Sequence, residues 1–140
     1  MDVSPDVFRK TPDMISAIQA VEAASQMLFA AKELMEGGDY CGSLEQSRAA
    51  LRVAASALLY KDGVIAQTFE ATTEHIEKQY PDTFPLSDWE KIERTVTGDG
   101  PGLLNMLIRA SGRQTGIPEA RHALSIATSF LNNVKQLVSI

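Results

Sequence analysis

Residues 30–63, AAKELMEGGDYCGSLEQSRAALRVAASALLYKDG, decide the fold. Small and apolar residues recur on both halves at helical spacing, and the halves meet at Gly37-Gly38. Glycine adopts the left-handed backbone that ends a helix without a Cβ penalty. The spacing therefore predicts two helices folded back on each other. On the second arm Leu44, Leu51, Ala55 and Leu58 mark the buried stripe. Alanines at 49, 50, 54, 55 and 57 keep that arm thin enough for close neighbours. Asp39 is placed to cap it directly, Ser43 and Gln46 have capping-box spacing, and Gly63 stops it.

Toward the amino terminus, Thr11-Pro12-Asp13 offers a cap and a first-turn proline for a long helix. Its predicted buried stripe is Ile15, Ile18, Val21, Ala24, Leu28, Ala31 and Met35, at steps of three or four. Residues 1–11 are polar around Pro5 and are expected to form a flexible tail. Beyond Gly63, a third helix is expected over Val64 to Tyr80, with Ile65, Phe69, Ile76 and Tyr80 on one face and a Glu74–Lys78 pair on the other. Pro81 to Pro85 reads as a loop, and Ser87-Asp88-Trp89-Glu90 as a capping box before a short helix with Trp89, Ile92 and Val96 inward. Gly98-Asp99-Gly100-Pro101 breaks the chain before a short apolar helix around Leu103, Leu104, Leu107 and Ile108.

The last helix is expected from about Pro118. Ala120, Leu124, Ala127, Leu131, Val134 and Val138 form a heptad-like seam, flanked by Ala123, Ile126, Phe130 and Leu137. Two adjacent stripes predict a wide buried face, inside the bundle or against another subunit. Alternation at period two is nowhere sustained, so no strand is expected. The expected fold is all-α: an antiparallel, up-and-down four-helix core plus one or two short helices, in a single domain over residues 12–140.

A chain of 140 residues is long enough to bury a core without metal or disulfides. Its single cysteine, Cys41, permits no intrachain disulfide, which suits a reducing cytoplasm. No basic segment leads into an apolar run at the amino terminus, and no uninterrupted apolar run approaches the roughly 20 residues of a membrane span. A cytoplasmic protein with no membrane contact is expected. The net charge of −5 argues against coating nucleic acid through overall electrostatics, while leaving room for a local basic site.

Candidate basic residues are Arg48 with Arg52, Arg109 with Arg113, and Arg121 beside His122. The first two pairs are four residues apart and share a helical face, where like charges repel mildly. An anion or a carboxylate between them relieves that repulsion, and guanidinium groups so placed can bind phosphate bidentately. The plainer alternative pairs them with Glu45 or another carboxylate. His122 lacks the partner and the substrate proton that a catalytic base needs, and His75, among Thr72, Thr73, Glu74 and Glu77, reads as a solvated helix residue. Two histidines and one distant cysteine make no zinc site, and Gly98-Asp99-Gly100-Pro101-Gly102 lacks the strand and lysine of a phosphate-binding loop. No catalytic residue, metal site or cofactor is expected.

Gly38-Asp39-Tyr40, then Ala57-Leu58-Leu59 through Gly63, then Gly63-Val64-Ile65 with Phe69, then Glu119-Ala120 through Ala127-Thr128-Ser129-Phe130-Leu131 occur in an order and spacing that resembles the HEPN superfamily. The similarity spans roughly residues 25 to 138 and points to the small stand-alone prokaryotic members. It departs at Arg48-Ala49, where relatives often carry paired tyrosines. It also lacks the family's Arg-x4-6-His nuclease motif, and Arg113-Gln114 follows Arg109 where a close branch has Asp-Tyr. The resemblance implies a homodimeric, non-catalytic nucleotide- or RNA-associated module, a partner of a nucleotidyltransferase or a toxin–antitoxin component. The alternatives it implies are a metal-independent ribonuclease using Arg109, Arg113 and His122 from two subunits, and a structural dimerisation module built on the second and last helices.

Overall fold

The computed structural model describes residues 7–97 and 116–138. Arg109, Arg113 and the expected short helix around Leu103–Ile108 lie outside them. The described chain is an all-α bundle, as expected, with helices α1 (Met14–Glu36), α2 (Tyr40–Asp62), α3 (Phe69–Gln79), α4 (Leu86–Thr97) and α5 (Ile117–Val138). The three long helices α1, α2 and α5 pack on one another, and the shorter α4 packs on α2 and α5.

The hairpin forms for the reasons its sequence suggested. Gly38, at φ +88°, turns the chain, and the Asp39 carboxylate caps α2 by accepting from the Gly42 amide at 2.8 Å. Ser43 therefore sits inside the first turn, fully buried, and its hydroxyl donates across the hairpin to the Ala31 carbonyl at 2.8 Å. The α1 cap is Asp13 rather than Thr11, because its carboxylate reaches both the Ser16 amide (2.9 Å) and hydroxyl (2.6 Å).

The buried face of α1 differs from the predicted stripe. Ala17, Ala20, Ala24, Leu28 and Ala31 are buried, whereas Ile15 is 72% exposed and Ile18 and Val21 only half-buried. Facing them, α2 buries Ala50, Ala54 and Ala57. Two alanine faces let the helix axes approach closely, and that contact outweighs burial of the bulkier isoleucine. On α2 the predicted Leu44, Leu51, Ala55 and Leu58 are all buried. On α5 both predicted stripes face the bundle, with Leu124, Ile126 and Leu137 half-buried and the others buried.

Two short strands were not anticipated. β1 (Val7–Arg9) pairs antiparallel with β2 (Val64–Ala66), matching Val7 with Ala66, Phe8 with Ile65 and Arg9 with Val64. Residues 7–9 thus carry regular structure within the segment expected as a tail. The third helix begins at Phe69, capped by Thr68, rather than at Val64. Val64-Ile65-Ala66, with two β-branched residues, is too short to show alternation, and only its partner strand reveals it. Gly63 makes the corner at φ +67°, where a Cβ would run into the Lys10 carbonyl and stand 2.9 Å from the Pro12 nitrogen.

By length and composition α1 meets the criterion for a membrane-crossing helix, with a mean hydropathy of 1.2 over its most apolar 18 residues, of which 22% are buried. Polar residues such as Gln19, Glu22 and Gln26 interrupt it, so it contains no long uninterrupted apolar run.

Candidate functional site

Helices α2 and α4 place Arg48 and Arg52 on one carboxylate, Glu93. Arg52 donates from Nε to Oε2 at 3.0 Å and from its NH2 group to Oε1 at 2.5 Å. The NH1 group of Arg48 stands 3.6 Å from Oε1, and the Trp89 indole donates to Oε2 at 3.2 Å. Glu93 is 7% exposed, so a carboxylate out of water is held by two guanidiniums and an indole. Its hydrogen bonds to Arg52 raise the guanidinium's affinity for its proton further, against the opposing pull of burial.

The sequence reading expected a carboxylate or an anion between these arginines, and Glu93 is a carboxylate that both of them approach. Two guanidiniums against one carboxylate leave this trio with a net charge of +1 inside a chain of net −5. Arg48 is only partly engaged: its Nε is buried and has no hydrogen-bond partner among the described residues. A signal for Glu93 was present, since it falls one turn after Trp89 on the apolar face of α4. A glutamate on such a face implies a buried cationic partner.

Two grooves flank this trio. One, of about 260 Å³, is bordered by Arg52, Leu59, Thr68, Phe69, Thr72 and Trp89. The other, of about 300 Å³, is bordered by Phe69, Glu70, Thr73, Glu90, Glu93 and Arg94. Phe69 is common to both and meets Trp89 edge to face, with ring centroids 4.8 Å apart.

The other predicted residues are placed elsewhere. Arg121 and His122 are exposed on the first turns of α5, and His122 Nε2 lies 3.8 Å from Asp88 Oδ1 rather than on Glu93. Arg109 and Arg113 fall outside the described residues. Among the described residues no group of histidine, cysteine or acidic side chains is arranged to hold a metal.

A second polar cluster went unrecognised. His75 is not solvated: its side chain is 14% exposed and its Nε2 lies 3.0 Å from Asp62 Oδ2. The Tyr80 hydroxyl donates to the same carboxylate at 2.7 Å, and Lys61 Nζ stands 3.3 Å from that hydroxyl. Burial is the largest influence on the Asp62 carboxyl and pushes it up. Hydrogen bonds with His75 and Tyr80, with the charges of Lys61 and His75, outweigh burial and hold it below the ordinary carboxylate range. Burial and the neighbouring Asp62 push the Tyr80 phenol well up. A proton is thus held firmly on Tyr80 and kept off Asp62, which suits a clamp joining α2 to α3 rather than a proton-transfer site. His75 and Tyr80 lie 13 and 18 residues from Asp62, so no local pattern announces the cluster.

No family model, curated protein or solved structure matches the chain.

Proposed function

We propose that the chain is a non-catalytic binding module for nucleotide or short RNA, of HEPN type, working through the Arg48–Arg52 face of α2. The observation that supports this reading is the convergence of both guanidiniums on Glu93, with net positive charge, an unsatisfied Arg48 Nε, and a groove bordered by Arg52 and Phe69. A phosphate takes up the donors that Glu93 leaves unused, and the half-buried Phe69 supplies apolar surface for a base or ribose. Catalysis has no part in this reading. His122 lies 3.8 Å from Asp88, away from that carboxylate, and the Tyr80 hydroxyl donates to Asp62.

The test is thermal shift and fluorescence anisotropy with nucleotides and short single-stranded RNA, using the wild type and Arg48→Gln. Arg48→Gln leaves the Arg52–Glu93 pair intact, so a folding defect does not confuse the result. The expected outcome is a salt-sensitive rise in melting temperature that Arg48→Gln abolishes. No stabilisation by any nucleotide or RNA, with wild type and variant indistinguishable, would sink the reading.

A further inference from the structure

Phe69 stands between two grooves of opposite character. The groove on the Arg52 side offers hydrogen-bond donors. Arg52 gives two N–H groups to Glu93, and a guanidinium carries five. The Thr68 hydroxyl accepts from the Ala71 amide at 3.0 Å, which leaves its own proton to donate.

The groove on the other side is bordered by three carboxylates, Glu70, Glu90 and Glu93. Two of them are already committed. Glu93 is held by Arg52 and the Trp89 indole, and Glu90 accepts from Arg94 at 2.6 Å. Glu70 is exposed in the first turn of α3, next to Phe69, and its carboxylate makes no hydrogen bond or ion pair among the described residues. A carboxylate in a first turn complements the helix dipole wherever it occurs, so its position alone assigns it no ligand. The difference here is the shared aromatic wall. A ligand lying across Phe69 meets donors at one end and, at the other, a carboxylate that can only accept.

We propose that the two grooves together select guanine nucleotides. The base stacks on Phe69, its N1–H and N2 amino group donate side by side to the Glu70 carboxylate, and the phosphate lies at Arg52 and Thr68. The other bases fail at that edge. Adenine turns its N1 lone pair toward the carboxylate, and uracil flanks its single N–H with two carbonyl oxygens. Cytosine offers an amino group beside a lone pair. Only guanine presents two adjacent donors to a two-oxygen acceptor. This inference rests on the nucleotide-binding reading and adds to it the identity of the base.

Titration calorimetry of the full chain with GMP, IMP and AMP tests it, on the wild type, Glu70→Gln and Arg48→Gln. GMP is expected to bind roughly tenfold or more tighter than AMP, with IMP, which lacks the amino group, between them. Glu70→Gln keeps the side-chain shape and is expected to narrow the GMP preference to about threefold or less. Thermal unfolding of the unliganded variant separates this from a folding defect. Equal binding of GMP and AMP, both lost in Arg48→Gln, overturns the base assignment and leaves the nucleotide reading standing. A GMP preference that survives in well-folded Glu70→Gln also overturns the assignment. Binding of no nucleotide at all overturns both.

Discussion

Arg52 and Glu93, 41 residues apart, are joined by two hydrogen bonds that tie α2 to α4. The pair is asymmetric, because the Arg52 side chain is 52% exposed and that of Glu93 only 10%. Removing one partner therefore differs from removing the other. Arg52→Ala leaves a buried carboxylate with Trp89 and a longer contact to Arg48, and is expected to cost about 1–3 kcal/mol after allowing for solvent screening. Denaturant unfolding of Arg52→Ala measures this. Arg52→Lys, which keeps the charge but loses the paired geometry, recovers part of the loss. A variant as stable as wild type would show that the pair contributes nothing net.

The Asp62 clamp gives stability a definite dependence on pH. Asp62 has a folded pKa below its unfolded value. Its contribution is therefore present above the unfolded carboxylate pKa of about 3.9 and is lost as pH falls through the lower folded value. Tyr80 is shifted the opposite way. Its contribution is full below about pH 10 and is lost as pH rises above that. Asp62→Asn is expected to cost about 1–2 kcal/mol at neutral pH. Its melting temperature should begin to approach that of wild type as pH falls below about 4, and meet it only below the lowered folded pKa. Parallel curves across that window would exclude Asp62 as the titrating group.

Gly63 and Gly38 both have positive φ, at +67° and +88°, but their surroundings differ. A Cβ at Gly38 meets nothing within 4 Å, so Gly38→Ala costs only the left-handed backbone penalty of about 1 kcal/mol. At Gly63 the Cβ meets the Lys10 carbonyl and the Pro12 nitrogen, which closes the ribbon against the start of α1. Gly63→Ala is expected to cost about 2–4 kcal/mol. Equal losses in thermal unfolding would mean that the β1–β2 corner yields freely.

The alanine contact between α1 and α2 leaves little room for larger side chains. Ala24 and Ala54 are each 0% exposed. Ala54→Leu is expected to cost about 1–3 kcal/mol or more through overpacking. Ile15→Ala, on the outward face, should stay within about 0.5 kcal/mol in the monomer. Ser43→Ala removes the bond to Ala31 across the hairpin and should cost about 1 kcal/mol. Chemical denaturation at low protein concentration ranks the three, and a larger loss for Ile15→Ala than for Ala54→Leu would contradict the alanine face.

The helical hairpin, its Gly37-Gly38 break, the α2 stripe and the double stripe of α5 were legible because each is a local periodicity. Convergence of Arg48 and Arg52 on a carboxylate was also legible, since four-residue spacing brings two like charges onto one face and calls for an opposite charge. That Glu93 would answer was not legible, because it arrives from a helix 41 residues away. The Asp62–His75–Tyr80 cluster and the β1–β2 ribbon were missed for the same reason. Each is made by residues with no shared local pattern, and the ribbon closes a separation of more than fifty residues.

By itself, then, the sequence determined that this chain is a helical bundle and where its main helices turn, because glycine conformations and the 3.6-residue period act within a few residues. Only the tertiary structure decided which side of α1 is the inside. Hydropathy alone places Ile15 in the core, whereas close approach of two alanine faces turns it outward. The reason is physical: burial depends on how nearly two surfaces can meet, and that is a property of the pair of helices rather than of either one.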